Sequence, residues 1–242
     1  RRVSSDGDGA VERGVVVGVV GARGGAGAST LAALVAARAS RRTATVLVDL
    51  DESAGGVDVV VGIEEEPGAR WPDLAQARGD VDGRDVVALL PRWGRVAVLS
   101  ADRSRPGPVE SAAALDVVGA VARTSGCGVV DGGRAAALAG HPVLGLCDRV
   151  ALVAGRDLRS VAGALALRTA LAASSGTGRV GLVVRGPAPG GLGTAEIADA
   201  VGVPMLWSGR ADRGLARAAE QGILPGRGPA GRAAAAVLAD VL

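Results

Sequence analysis

The residues with the clearest chemical potential form one glycine-rich stretch, GARGGAGAST over residues 21–30. It follows an apolar run of β-branched residues and opens an Ala/Leu-rich stretch. A glycine-rich turn between a strand and a helix lets backbone N–H groups approach an anion. The helix N-terminus adds the positive end of its dipole, so the chemistry this stretch suits is phosphate binding. An ordinary phosphate-binding loop carries a lysine just before its Ser/Thr. Here that position is Ala28, while the Ser29 hydroxyl remains available to Mg²⁺. Asp49 and Asp51 stand at the end of a second apolar run, and Asp131 ends a third. The D-x-D spacing of Asp49 and Asp51 after an apolar strand favours function over solvated strand-end carboxylates, while for Asp131 the two readings stand even.

Two alternatives stand for the loop. One is a tight turn with only a structural role. The other is a dinucleotide-binding turn, because Asp49 lies 22 residues past Gly27, near the ~20 expected of a ribose-binding acid. Thr30 breaks that pattern at its third glycine, and Ser29, Asp51 and Asp131 have no role in it.

These residues need strands and helices to hold them. Apolar, β-branched runs at 15–20, 45–50, 96–99, 129–131, 150–154 and 180–184, with a weaker one at 205–207, read as strands. Between them Leu31, Leu34, Val35 and Arg38 share a helical face, as do Leu115, Val118 and Val121, and Leu158, Val161 and Leu165. Wholly apolar strands alternating with helices imply an α/β fold with a parallel sheet covered on both faces. Residues 1–13 read as a leader or linker remnant, consistent with a trimmed chain since the first residue is not Met. Residues 14–242 read as one domain.

Composition narrows the chemistry further. The 242 residues are 48% hydrophobic, enough for a substantial core, and the formal net charge is +2. All 27 basic residues are arginine, and Lys, Asn, Phe and Tyr are absent, as a GC-rich coding sequence would produce. Lysine Schiff-base chemistry is thereby excluded. Aromatics at 1% nearly exclude a platform for stacking nucleic-acid bases, and no arginine-dense block marks an electrostatic footprint for them. Arg38, Arg41 and Arg42 fit the end of the first helix, where its dipole favours cations. Cys127 and Cys147 lack metal-ligand spacing and read as small apolar residues; the lone His141 completes no zinc site. No apolar run approaches the ~20 residues of a membrane span, and a cytoplasmic protein is expected.

The loop resembles the deviant Walker A motif of the MinD/ParA family, K-G-G-x-G-K-[ST]-[ST]. Arg23 stands at the family's signature lysine, followed by Gly24, Gly25, Ala26, Gly27, Ala28, Ser29 and Thr30. VLVDLD over 46–51 resembles the second-strand segment with its paired aspartates, and GVVD over 128–131 resembles the Walker B strand. Gly132 and Gly133 follow where relatives often carry proline. The resemblance runs from Gly14 over most of the chain. Within the family it is to the CpaE/TadZ-like branch, including actinobacterial CpaE-like septum-site-determining proteins.

The resemblance implies a P-loop NTPase-like three-layer sandwich around a mostly parallel sheet of about seven strands. It implies ATP held by residues 24–30, with Mg²⁺ held by Ser29, Asp49 and Asp131. Arg23 would reach across a nucleotide-dependent homodimer, and Asp51 would orient the attacking water. With Ala28 at the lysine position, hydrolysis is expected to be weak or absent. The implied role is spatial regulation of a tad-type secretion or pilus apparatus or of a septum site. Secretion, pilus or cell-division proteins would be the partners and would recruit the chain to the membrane or pole. One alternative is a pseudo-ATPase interaction module, motivated by Ala28 and by Val184-Arg185 standing where relatives place an adenine-contacting Asn. Another is ParA-like nonspecific DNA binding.

Overall fold

Valine-rich runs become strands here because both of their faces are covered. The computed structural model describes residues 13–51, 55–175, 179–224 and 226–242, so the expected leader lies outside the described residues up to residue 12. β1 (Val15–Gly21) passes through the glycine loop into α1 (Ala28–Ala39), and β2 (Thr45–Asp49) leads to the short α2 (Val57–Val61). α3 (Gly83–Leu89) precedes a hairpin of β3 (Arg92–Trp93) and β4 (Val96–Leu99). α4 (Ser111–Thr124) leads to β5 (Cys127–Asp131) and α5 (Arg134–Leu138). Then come β6 (Arg149–Gly155), α6 (Leu158–Ser175), β7 (Val180–Arg185) and α7 (Thr194–Val201). β8 (Met205–Gly209), α8 (Leu215–Ala219) and α9 (Gly228–Leu238) complete the order.

The strands form one sheet in the order β3-β4-β2-β5-β1-β6-β7-β8, parallel throughout except at β3–β4. The expected α/β sandwich is therefore present, with eight strands where the sequence predicts about seven. The extra one is β3, whose two residues are too short to carry a period.

Alternate side chains of each strand enter different halves of the core. Val16, Val20, Val46 and Val130 pack with Val117 and Val121 of α4, Leu167 and Leu171 of α6 and Ile197 of α7. Val17, Val19, Leu47 and Val129 pack under Leu31, Leu34 and Val35 of α1 and Val237 of α9. Leu115 falls outside the buried set of its predicted face, and so do all three of Leu158, Val161 and Leu165; α6 buries Ala164, Leu167 and Leu171 instead, and Leu158 is 80% exposed. Arg38 is likewise exposed, where α1 runs out towards its C-terminus. Cys127 and Cys147 are buried, and burial pushes both thiols up to about 12, so they are inert apolar fillers. No helix among the described residues is long and apolar enough to cross a membrane.

The topology decides where chemistry can occur. Parallel strands carry their C-termini to one edge, and β1 lies between β5 and β6, with β2 beyond β5. In register, Val19 pairs with Asp131 and Asp49 pairs with Asp131. The glycine loop and both aspartates therefore meet at the carboxyl edge of the sheet, where open α/β sheets bind ligands.

Candidate functional site

The loop turns sharply because Gly27, the N-cap of α1, sits at φ 89° in the left-handed region that side chains disfavour. Glycine offers no side-chain cap, so the first-turn N–H groups of α1 are left for an outside acceptor. Open space lies beside the α-carbons of Gly24 and Gly25, and a cavity of about 410 Å³ spans the loop. Residues 23–30 line it together with Asp51 and Asp131. Its size falls within the range of small-molecule sites, roughly 300–1,000 Å³.

Asp49 is 2% exposed and fully used: one carboxylate oxygen accepts from the Asp51 N–H at 2.8 Å and the other from the Val57 N–H at 2.8 Å. The Trp71 indole N–H donates to the Asp49 carbonyl at 2.5 Å. Asp49 thus pins the Asp51 backbone and the start of α2. Asp131 is 3% exposed, and the neighbouring Ser29 hydroxyl and Gly133 N–H favour its charged form against the cost of burial. Asp51 is half-buried at the cavity wall. The two glycines after Asp131 have a physical reason: Gly133 has φ 53°, and a Cβ there would lie 3.0 Å from the Asp51 Cα. Glycine lets the β5 and β2 ends close on each other.

Burial pushes both the Asp49 and Asp131 carboxyls well above the ordinary carboxylate range, and the negative charge of Asp131 raises Asp49 further. The folded state therefore holds protons that the unfolded chain releases near pH 4. Stability from these groups is complete below that pH and is lost as pH rises through neutrality. The melting temperature of the ligand-free protein should fall between about pH 5 and 8, and less steeply in Asp49→Asn. A melting temperature that is flat or rises over this window would contradict the prediction.

The sequence-predicted site residues thus converge: residues 23–30, Asp51 and Asp131 line one cavity, with Asp49 buried beneath it. Arg23 lies back on its own chain, its Nε donating to the Ser160 hydroxyl at 3.0 Å and Nη2 pairing with Asp157 at 3.5 Å. Three charged wall residues stand outside the predicted site set: Arg134, Arg185 and Asp212. The signal for the first two is a basic residue at or just after an apolar strand's C-terminal end. His141 takes no part, its Nδ1 accepting from the Val143 N–H at 3.3 Å.

The donor set fits a phosphate ligand with Mg²⁺. Among the described residues no cluster of three or more His, Cys, Asp or Glu forms a metal cage. A hydroxyl and a carboxylate in the wall of one cavity, Ser29 and Asp131, suit a cation that keeps waters and takes its remaining ligands from phosphate oxygens.

No protein-family model matches the chain. An uncharacterized protein of Mycobacterium tuberculosis, present in strains H37Rv and CDC 1551, is 44% identical over 210 residues. That alignment covers 86% of this chain, which spans only 58% of the relative's length. Among solved structures, a ParA family ATPase from Chlorobium tepidum superposes with a TM-score of 0.72 at 18% identity, covering 94% of this chain and 91% of that one. The septum site-determining protein MinD of Pyrococcus horikoshii, solved with Mg-ADP, gives 0.72 at 15% identity, covering 92% and 93%. A single-residue variant of McdA from Cyanothece, solved with ATP, gives 0.62 at 15% identity, covering 88% and 89%. At these identities the likeness is one of fold: the chain has the architecture of the MinD and ParA ATPases.

Proposed function

We propose that the chain binds ATP with Mg²⁺ at residues 24–30 and works as a nucleotide-dependent positioning protein of the MinD/ParA kind. The observation that carries this reading is the open backbone cradle at the N-terminus of α1, with Ser29 and Asp131 lining the same cavity. The fold shared with MinD solved with Mg-ADP and McdA solved with ATP supports the choice of nucleotide. In this reading the loop N–H groups bind the phosphates, and Ser29 and Asp131 hold Mg²⁺, which supplies charge neutralisation. Asp49, both of whose oxygens accept backbone N–H groups, supports that set without being a direct ligand. Asp49 positions Asp51, and Asp51 orients the attacking water.

Arg23 is the residue proposed to reach the phosphates of a second copy. Its side chain is 48% exposed and its pair with Asp157 is long. Such pairs are worth about 0–1 kcal/mol, so releasing Arg23 to a dimer partner costs little. Removing one preorganised donor slows other enzymes roughly 10²–10³-fold, so Ala28 implies a slow hydrolase. The sequence resemblance to the CpaE/TadZ-like branch and the shared fold with a septum site-determining protein support a role at a secretion, pilus or septum assembly. Its proteins would be the partners that recruit the chain to membrane or pole.

Calorimetric titration of Mg²⁺·ATP tests the reading. Binding with a dissociation constant of roughly micromolar order is expected. Arg23→Ala should keep a folded monomer that no longer dimerises with ATP. Ala28 favours one competing reading, an interaction module that binds no nucleotide; an absence of binding heat at millimolar ATP would establish that reading instead.

A further inference from the structure

Ala28 leaves the loop without its usual cation, yet two other arginines reach the same cavity from flanking elements. Arg134 is the first residue of α5, just past Asp131; its Nε donates to the Ala22 carbonyl at 3.1 Å, at the root of the glycine loop. Arg185 is the last residue of β7, and its guanidinium lies so close to Gly27 that a Cβ there would collide with Nη1. In the sheet, β5 and β7 lie on opposite sides of β1, so the two arginines flank the loop. Among the described residues neither forms an ion pair, although Asp51, Asp131 and Asp212 line the same cavity.

One backbone hydrogen bond holds Arg134, but among the described residues no side-chain hydrogen bond or ion pair accounts for the placement of Arg185. A cation is disfavoured at a helix N-terminus, where the dipole is already positive. Arg185 stands at the N-terminus of α1. An anion lodged between the two arginines turns the unfavourable Arg185 position into a favourable one. Arginine's planar fork suits this ligand, because two parallel N–H donors match two phosphate oxygens.

We propose that Arg134 and Arg185 together clamp the phosphate chain of the ligand, replacing the lysine that Ala28 lacks. The proposal rests on the cavity being a phosphate site, and its test separates that premise from the choice of nucleotide. Mg²⁺·ATP and inorganic tripolyphosphate are titrated separately into the chain, Arg134→Gln, Arg185→Gln and the double variant. Each single variant should bind both ligands about tenfold more weakly, and the double variant ~100-fold or more. Adding Ala28→Lys to the double variant should restore part of the affinity.

The charge-keeping Arg134→Lys and Arg185→Lys should retain more affinity than the glutamine variants. Equal loss in both sets marks a packing role and overturns the assignment. Unchanged ATP affinity in the double variant overturns it while leaving nucleotide binding intact. Tripolyphosphate binding that needs both arginines, without ATP binding, upholds the assignment and ends the nucleotide reading. Binding of neither ligand ends both.

Discussion

Arg70→Met is expected to lower the unfolding free energy by about 3–5 kcal/mol, the range for removing one partner of a buried ion pair. The Asp58 and Arg70 side chains are 3% and 9% exposed, with Arg70 Nε 3.1 Å from Asp58 Oδ2. The remaining Asp58 oxygen accepts from the Ser100 hydroxyl at 3.0 Å and the Val59 N–H at 3.0 Å. The two Nη groups of Arg70 donate to the carbonyls of Gly68 and Glu66, each at 3.2 Å. The loss comes mainly from a carboxylate left buried without its countercharge. For a chain of this length it should lower the melting temperature by roughly 10 °C. The double variant Arg70→Met/Asp58→Asn removes both charges and should recover a large part of the loss. Denaturant titration reads both effects from the midpoint at constant slope. A single variant as stable as the parent would refute the prediction. The pair also bears on the site, because Asp58 follows Val57, whose N–H holds Asp49.

Gly27→Val should abolish nucleotide binding, weakening it by at least ~100-fold. Valine at φ 89° pays the left-handed penalty, about 1–2 kcal/mol, and its Cβ collides with Arg185. The loop must shift, which misaims the N–H groups at the start of α1. The core beneath does not depend on this residue, so a cooperative unfolding transition should survive at a reduced temperature. Gly24→Ala is the control: nothing lies within 4 Å of its added Cβ, so its melting temperature should match the parent. If Gly27→Val binds Mg²⁺·ATP as the parent does, the loop is not the phosphate cradle.

Much of the fold was legible along the chain because it is written in local patterns. Wholly apolar strands announce a sheet buried on both faces, and here Val16 and Val17 enter opposite halves of the core. β3 escaped because two residues carry no period. Of the helical face containing Arg38, the part over Leu31, Leu34 and Val35 is buried. The glycine loop was legible for the same reason: its turn, its helix and its Ser29 are contiguous.

The sequence by itself determined the alternating α/β order, the loop at residues 21–30 and the carboxylates ending β2 and β5, since each depends on neighbours a few residues apart. Only the tertiary structure decided what shares a cavity with them. Strand order brings Arg134 and Arg185 to the two sides of β1 and lays Arg23 against Asp157. These contacts join residues more than a hundred positions apart, and long-range pairing of strands, which no local period encodes, creates them. The lysine missing at position 28 can be read from the chain. The arginines standing around its place can be read only from the fold.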